Sequence, residues 1–286
     1  MSSILLVGSD PEFICKDANE NFVSVIPYIS GTKQEPLKTQ HGAIQHDNVL
    51  AEINTLPSRT ASTFSRNVAA TKEDLAVHLN RYGAKITRDA SAYYPPDQLA
   101  SEEAMEFGCD RDYDAFDPSN PCTVPRKTVD PSFRTAGGHV HIGHPIAKQY
   151  PEIVVLACDL YLGLPSVLLD SNIERRSLYG QASRFRRKNY GVEYRTLSNF
   201  WVFSDVLRNW VFNTVQQVVN NPYVIFELEN VVSLVDIRSI INNSDSKSAG
   251  KAIRELRASG LKLKIPGSSL EDERIFIREP RNIGAR

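Results

Sequence analysis

Predicted strands and helices do not alternate regularly along this 286-residue chain. Short runs with alternating hydrophobicity predict a first strand at 3–7 and 12–14 and further strands at 21–28, 49–54, 137–144 and 192–196. Apolar residues at helical spacing predict helices at 58–83, 151–169, 203–220, 223–242 and 247–259. A parallel sheet needs a crossover helix between successive strands, and this order does not supply one. The sequence therefore predicts an α+β architecture, with a mixed or antiparallel sheet and helices on one face.

Composition narrows the class of protein. The formal net charge of −1 disfavours a protein that binds polyanions over its whole surface, and 41% hydrophobic residues exclude intrinsic disorder. Four cysteines without a C-x-x-C pair are too sparse for a disulfide scaffold, which indicates a reducing compartment. The N-terminus lacks the basic region of a signal peptide. The apolar run Ile153–Leu169 is short for a membrane span and predicts a buried helix with Pro151 in its first turn. We expect a cytoplasmic protein with no membrane contact.

Residues 93–135 interrupt the pattern of strands and helices. Six prolines and an acidic run through 110–117 predict a long loop or insertion, which could close over a site as a lid or could be a mobile surface excursion. We expect one domain over 1–286, with this insertion and a helical C-terminal third.

Carboxylates lie on two of the predicted strands. Asp10 and Glu12 are two residues apart, so on an extended chain both point to one face, where a divalent cation would offset their repulsion. The alternative is a solvated turn, which Pro11 favours. Glu52 lies in a strand whose polar face could be merely hydrated.

A histidine pair occupies a later strand. His139 and His141 project to one face of the segment 137–144, where glycines allow close backbone approach. Two imidazoles in this arrangement suit a metal or a phosphate, although structural histidines would have the same pattern.

A third strand carries Glu193 and Arg195 on one face. Just before it comes a basic stretch, which contains Arg175, Arg176, Arg184, Arg186, Arg187 and Lys188. Arginine binds phosphate with two parallel hydrogen bonds. Interleaved aromatic residues also allow a nucleic-acid surface, and a solvated basic loop is the simpler alternative. Together with the carboxylates and the histidine pair, the cluster is typical of a Mg-nucleotide site on a sheet.

Four motifs carry a resemblance to a known family. They are Gly8-Ser-Asp-Pro-Glu-Phe13, Ala51-Glu-Ile-Asn-Thr-Leu-Pro57, Gly137-Gly-His-Val-His-Ile-Gly143 and Tyr190-Gly-Val-Glu-Tyr-Arg-Thr-Leu-Ser-Asn-Phe-Trp201. In this order they resemble the phage phiEco32-like carboxylate–amine ligases (COOH-NH2 ligase type 2), a branch of the glutamine synthetase and glutamate–cysteine ligase superfamily. The resemblance covers roughly residues 4 to 201.

The resemblance implies a glutamine synthetase-like catalytic fold, a curved antiparallel sheet whose concave face holds ATP and Mg2+ or Mn2+ and whose convex face carries the helices. It implies metal ligands at Asp10, Glu12, Glu52, His139 and Glu193, with Asp47 a weaker candidate. Asp10 departs from the glutamate that is usual at its position. It assigns His141 and Arg195 to the nucleotide or substrate, Arg195 and Glu193 to catalysis, and Arg176, Arg184 and Arg186 to phosphates.

The implied activity is ATP-dependent formation of an amide or peptide-like bond through an acyl phosphate. The expected substrates are a small-molecule or peptide carboxylate and an amine. Two alternatives remain open: a guanidino-type kinase of the same superfamily, and a non-catalytic relative that binds nucleic acid or another partner. The sequence neither identifies the substrates nor decides whether the chain forms a homo-oligomer. If a phage encodes it, its compartment would be the host cytoplasm.

Overall fold

The strands of the computed structural model all pair in antiparallel fashion. The model describes residues 4–105, 112–122, 130–170 and 172–267. In these residues the strands are β1 Leu6–Ser9, β2 Glu12–Phe13, β3 Cys15–Lys16, β4 Phe22–Val23, β5 Leu37–Lys38, β6 Gly42–Asp47, β7 Leu50–Thr55, β8 Lys85–Ile86, β9 Ser91–Tyr93, β10 Asp112–Asp114, β11 Asp117–Cys122, β12 Phe133–Thr135, β13 Val140–Gly143, β14 Arg184–Lys188 and β15 Gly191–Tyr194. The α-helices are α1 Ala61–Asn80, α2 Glu102–Met105, α3 Pro145–Gln149, α4 Pro151–Cys158, α5 Leu164–Leu169, α6 Asp205–Asn220, α7 Val224–Glu227, α8 Leu234–Asn242 and α9 Ser246–Ala258. The predicted α+β class is thus confirmed.

Two sheets meet along the first extended segment. A six-stranded sheet has the order β1-β13-β15-β14-β10-β11, and a four-stranded sheet has the order β2-β7-β6-β5. The segment 6–13 belongs to both, because β1 lies in the first and β2 in the second. Val7 and Ser58 exchange two backbone hydrogen bonds of 2.9 and 2.8 Å across the junction. The predicted single curved sheet is therefore divided: Asp10 and Pro11 interrupt the strand, and the pairing partner changes there.

Helices cover one face of the joined sheets. Helix α1 packs against β6 and β7, and α3 and α4 pack against β15. The side chains of Ala51 and Ile53 lie in the core with Phe64 of α1, and Val192 and Tyr194 join the same core. Since side chains alternate along a strand, Glu52 and Glu193 project to the opposite face. One hydrophobic core extends from Val7 to Ile265.

The buried helix predicted at 151–169 is present but is not uniform. Helices α4 and α5 are joined by a π-helical turn, Asp159–Gly163. Pro165 lies in the first turn of α5. Proline has no backbone N–H, and the wider π-helical turn before it is a place where the missing hydrogen bond is tolerated. The run Pro151–Leu169 is long and apolar enough to cross a membrane, but 78% of its most apolar window is buried inside the molecule, as in the core helix of a globular protein.

Four predictions of secondary structure need correction. A long loop or insertion is predicted at 93–135. The described residues of this segment instead include β10 and β11, which belong to the six-stranded sheet, and β12, which pairs with β9. Pro118 and Pro121 lie in β11, at the edge of that sheet, where a missing N–H is tolerated. The predicted helix at 223–242 is two helices separated by residues 228–233, and of the predicted strand at 21–28 only Phe22–Val23 pairs. Helix α1 begins after Thr60, whose hydroxyl accepts a hydrogen bond from Thr63 N, rather than at Ser58.

Candidate active site

The strand register aligns the polar residues of the six-stranded sheet. Gly8 lies opposite His141, His141 lies opposite Glu193, and Glu193 lies opposite Arg186. All four positions point to the face that the helices leave open, because neighbours across a sheet share a face. Gly8 carries no side chain, so this row of facing residues leaves space over β1. Asp10 enters this open space, with its Oδ2 3.2 Å from His141 Nε2.

Asp10, His141 and Glu193 form the first metal-type cluster. One ligand atom from each lies within 4.8 Å of the other two. Glu193 is fully buried, and the other two are partly buried. Two carboxylates and an imidazole are the donors that Mn2+ accepts, and the carboxylates also suit Mg2+.

Glu12, Asp47 and Glu52 form the second cluster. Their carboxylate oxygens also lie within 4.8 Å of one another. Glu12 lies directly opposite Glu52 in the register between β2 and β7, and Asp47 ends β6. The Gly137 N–H donates a hydrogen bond of 2.6 Å to Glu12 Oε2, which fixes that carboxylate. Three carboxylates without an intervening cation repel one another, so this donor set fits a divalent cation.

His139 lies between the two clusters and not within either set of three. Its Nδ1 is 3.4 Å from Asp10 Oδ1, 3.8 Å from Glu193 Oε1 and 3.3 Å from Arg195 Nη1. The structure therefore brings His139 and His141 onto one face, as predicted from their spacing. It places His141 within the first cluster and His139 beside it, so the metal and phosphate roles that the resemblance implied for the two histidines stay predictions.

Opposite charges keep the first cluster ionised. Burial alone raises the pKa of Asp10, but His141 and His139 more than offset it and hold that pKa well below its ordinary value. Burial and Asp10 raise the pKa of Glu193, but Arg195 and the two histidines lower it to about 2. Burial lowers the pKa of His141, and the Asp10 carboxylate reverses that shift and raises it.

In the second cluster, by contrast, the pKa values of two carboxyls are raised. Burial, followed by the charge of Glu12, raises the pKa of Asp47 to about 7. Burial and the charges of Asp10, Asp47 and Glu12 raise the pKa of Glu52 well above its ordinary value. The charges of Lys33, Arg195 and Arg186 lower the pKa of Asp47 but do not offset the rise. Relative to free carboxyls, the protonated forms of Asp47 and Glu52 are therefore favoured over the charged forms.

An aspartate that the sequence analysis did not single out joins the site from β10. Asp112 Oδ1 is 2.9 Å from Arg195 Nε and 3.1 Å from Arg186 Nε. Arg195 Nη1 also pairs with Glu193 Oε1. Burial lowers the pKa of Arg195, but Glu193 and Asp112 reverse that effect and raise it above its already high ordinary value. Arg195 is thus permanently charged and held at the first cluster from two sides.

The other arginines separate into two groups. Arg186 Nη1 lies 3.5 Å from Glu193 Oε1, and Lys188 Nζ lies 2.7 Å from Glu193 Oε2, so both adjoin the first cluster. Arg184 instead donates a hydrogen bond to Gln181 Oε1. Arg176 lies in the helical layer, where its guanidinium donates to Ser166 and Ser244, so its contact with phosphate stays a prediction.

Arg175, the neighbour of Arg176, lies in the cleft in its place. Its guanidinium donates to the backbone oxygens of Thr196 and Arg195, at 2.9 and 3.3 Å. Complete burial lowers its pKa to about 10, although Glu12 and Asp170 act in the other direction. Gly180 has a φ of +76°, and a Cβ there would come within 1.7 Å of Arg175 Nη1, so only glycine admits this guanidinium.

A cleft adjoins the second cluster, and its wall combines apolar and basic side chains. Besides Glu12, Asp47, Asp112, His139 and Arg195, its lining residues are Asn48, Leu50, Arg134, Thr135, Arg175, Leu178, Tyr179 and Gly180. The wall thus offers both charged groups and apolar contact beside these five polar residues of the site. A substrate that fills this cleft would displace water from the clusters.

Comparison with known proteins gives one family. Residues 131–236 match the family model of phage phiEco32-like COOH.NH2 ligase-type 2. The matched segment contains the histidine motif, the basic stretch and the Glu-x-Arg motif. The resemblance deduced from these motifs is therefore confirmed over this part of the chain. No curated protein matches the chain.

Solved structures resemble the chain only distantly. GmaS without ligand is 10% identical, with 91% of this chain and 71% of that chain covered and a TM-score of 0.37. A complex of GmaS with ADP is also 10% identical with the same coverage, at a TM-score of 0.34. Scores this low carry no argument about function.

Proposed function

We propose that the protein is an ATP-dependent carboxylate–amine ligase that forms an amide or peptide-like bond. The observation that carries the proposal is the pairing of two metal-type clusters with a basic row on one sheet face. The segment that matches a carboxylate–amine ligase family supplies His141, Glu193 and the basic row to this face. An acid–base enzyme would need only one such carboxylate group, whereas a nucleotide and a carboxylate substrate together bring several negative charges to one place.

In this proposal each cluster holds one divalent cation, Mg2+ or Mn2+. Asp10, His141 and Glu193 would hold one, and Glu12, Asp47 and Glu52 would hold the other. Bound divalent cations would supply neutralisation of the phosphate and carboxylate charges that must approach each other. Burial and mutual repulsion raise the pKa values of Asp47 and Glu52, and a bound cation would oppose both effects.

The protein's own cations would complete the neutralisation. Arg195, Arg186 and Lys188 border Glu193 on the side of the first cluster, which suits the phosphates of ATP. Arg195 is fixed by Asp112 and Glu193, so its charge needs no rearrangement when negative charge develops on a transferred phosphoryl group.

The proposed reaction has two steps. A substrate carboxylate oxygen attacks the γ-phosphorus of ATP, the bond to the β–γ bridging oxygen breaks, and ADP leaves. The amine then attacks the carbonyl carbon of the acyl phosphate, the C–O bond breaks, and inorganic phosphate leaves with the amine proton transferred to solvent or a basic group. Water would hydrolyse this acyl phosphate. A substrate that fills the cleft would protect the intermediate by excluding water.

The proposed lid at 93–135 falls partly on residues 106–111 and 123–129, outside those that the structure describes, so that role stays a prediction. A cytoplasmic location, single-domain organisation over the whole chain and any self-association also stay predictions.

The first experiment is a substrate screen. Amino acids, short peptides and nucleobase-linked acids are paired with amines in the presence of Mg-ATP, and release of ADP and phosphate is measured for each pair. A ligase releases both in equal amounts, whereas a guanidino-type kinase releases ADP and retains the phosphate on its product. Absence of any stimulated release, together with no ATP-induced increase in melting temperature, would favour the non-catalytic relative.

A pair of variants ties the activity to the site. Glu193→Gln should abolish stimulated release of ADP, because Glu193 is fully buried within the first cluster. Glu152→Gln is the matched control, since Glu152 lies in α4 and pairs with the exposed Arg187 of β14. Equal activity in both variants would contradict the assignment of the site.

A further inference from the structure

Arg238 of α8 contacts the hairpin of β10 and β11 at two points. Its Nη2 donates a hydrogen bond of 2.6 Å to Asp114 Oδ2, and its guanidinium lies over the ring of Phe116, 4.9 Å from the ring centroid. The Phe116 N–H donates a hydrogen bond of 3.0 Å to Asp114 Oδ1, so both oxygens of this carboxylate have partners. One arginine of the helical layer therefore fixes the turn of the hairpin.

The helix that carries Arg238 is anchored in the core. Ile237, Ile240 and Ile241 of α8 are buried, and the helix packs against α5 and α9. Asp114 is buried, so its ion pair with Arg238 is screened by salt less than a pair at the open surface. The contact therefore ties the hairpin to a part of the molecule that is packed in place.

The position of Asp114 governs the position of Asp112. A strand rises about 3.3 Å per residue, so the two aspartates lie roughly 7 Å apart on one extended segment. The backbone pairing of β10 with β14 joins Tyr113 to Phe185 and Asp114 to Arg184, so Asp112 lies one residue beyond this register. A shift of Asp114 would therefore move the Asp112 carboxylate.

The Asp112 carboxylate is the part of the hairpin that reaches the site. Its Oδ1 lies 2.9 Å from Arg195 Nε, and the same arginine borders the first cluster through Glu193. Arg238 is absent from the described residues that line the cleft, so an effect of Arg238 on the site has to pass through the hairpin. Misplacing a catalytic group by about 1 Å can reduce a rate by roughly a hundredfold.

We propose that Arg238 is a positioning residue that acts through Asp114 to hold Asp112 against Arg195. The part of this inference that concerns turnover rests on the proposed function. The contact of Arg238 with Asp114, and its effect on Arg195, do not depend on which reaction the site performs.

The first test needs no substrate. Arginine labelled with nitrogen-15 is incorporated into the full-length protein, and exchange of the Arg195 Nε–H with solvent is followed by NMR, its signal being assigned by its loss in Arg195→Lys. In Arg238→Ala and in Asp114→Asn we expect this proton to exchange at least roughly tenfold faster than in the wild type, because Asp112 no longer lies against it. The two variants break the same pair from opposite sides, so either one suffices if the other fails to fold.

Two further variants control this measurement. Arg254→Ala removes an exposed arginine of α9 and should leave the exchange rate of Arg195 unchanged. Arg238→Lys keeps a cationic donor for Asp114 and should restore most of the protection. Equal exchange of Arg195 in the wild type, Arg238→Ala and Asp114→Asn would show that the proposal is wrong.

The second test is a double-mutant cycle on turnover, with the substrates found by the screen. We expect Arg238→Ala to lower kcat roughly tenfold while KM for ATP stays within about twofold. Combined with Asp112→Asn it should cause no further loss, because both changes remove the same contact. A double variant whose loss is the product of the two single losses would mean that Arg238 acts independently of Asp112. If the wild type releases no ADP with any substrate, the proposed function is wrong, and the exchange of Arg195 decides the role of Arg238.

Discussion

Asp112 Oδ1 lies 2.9 Å from Arg195 Nε, so the hairpin of β10 and β11 is tied directly to the strand that carries Glu193. Arg186 Nε lies 3.1 Å from the same oxygen. One carboxylate from the inserted segment thus holds two of the arginines that border the first cluster. This gives the insertion a role in the site that does not depend on closing over it.

Removing that carboxylate should impair catalysis more than folding. Asp112→Asn keeps the size of the side chain but loses the charge that faces both arginines. Hydrogen bonds to charged groups contribute about 1.5–3 kcal/mol, which corresponds to roughly ten- to hundredfold in turnover. Asp117→Asn, at an exposed position of the same hairpin, is the control and should be silent. Steady-state ADP release and urea denaturation measure both effects. An active Asp112→Asn enzyme would show that the ion pairs are incidental.

Arg195→Lys should keep the charge and lose most of the rate. The guanidinium contacts Glu193 through Nη1 and Asp112 through Nε, and a lysine ammonium cannot make both contacts in that geometry. We expect a loss of about 10²–10³ in turnover, on the order of 2–4 kcal/mol. Arg187→Lys is the control, because Arg187 pairs with Glu152 at the surface. A loss below about threefold would mean that Arg195 serves only to neutralise Glu193.

Divalent cation binding should release protons from the second cluster. Burial and the neighbouring carboxylates raise the pKa of Asp47 to about 7 and raise that of Glu52 well above its ordinary value, so a cation that binds the deprotonated carboxylates displaces the protons that they hold. Mg2+ affinity should therefore rise between pH 6 and pH 8, by up to about tenfold per pH unit for each proton displaced. Titration calorimetry in buffers of different ionisation enthalpy counts the protons.

Asp47→Asn should weaken Mg2+ binding and lower the number of protons released. The amide cannot be deprotonated, so the remaining pH dependence would belong to Glu52. Mg2+ affinity that does not change between pH 6 and pH 8 in the wild type would contradict the assignment of this cluster.

A buried carboxyl, that of Asp159, accepts a hydrogen bond from Tyr194 of β15, the strand that carries Glu193. Asp159 accepts hydrogen bonds from Tyr194, Ser183 and Thr196 at 2.7, 3.0 and 3.3 Å. Burial outweighs these hydrogen bonds and raises its pKa to about 7. A carboxyl whose pKa is raised on folding takes up a proton between its unfolded and folded pKa values, so its contribution to stability falls as pH rises from about 4 to 7.

Asp159→Asn should remove that contribution, because the amide stays neutral and the three hydroxyls can reverse their hydrogen bonds. Between pH 5 and pH 8, the stability of Asp159→Asn relative to wild type should therefore increase by about 2 kcal/mol, measured as the difference between their free energies of unfolding. Urea denaturation at the two pH values measures this difference, with the surface variant Asp89→Asn as control. A difference that stays constant with pH would mean that Asp159 is ionised in the native protein at pH 5.

Local spacing was sufficient to predict the residues that share a strand face. His139 and His141, and Glu193 and Arg195, are each two residues apart, and the period of a strand places such pairs on one side. The resemblance then brought Asp10, Glu12 and Glu52 to the same place. It also supplied Asp47 as a weaker candidate, which the structure places in the second cluster.

Contacts between distant segments could not be predicted in this way. Asp112 reaches the site only because β10 pairs with β14, a register that no local pattern in the proline-rich segment 93–135 indicates. Arg175 and Arg176 are adjacent in a 3-10 helix, and the sequence does not show which of two neighbours points into a cleft. A Cβ at position 180 would collide with the Arg175 guanidinium, so the glycine there was the one available signal.

Transfer of oxygen-18 tests the proposed chemistry most directly. The carboxylate substrate found by the screen is labelled with oxygen-18 in its carboxyl group, and the phosphate released during amide formation is analysed by mass spectrometry. An acyl phosphate intermediate requires one labelled oxygen in each phosphate, because the C–O bond breaks when the amine attacks. Amide product accompanied by unlabelled phosphate would contradict the account.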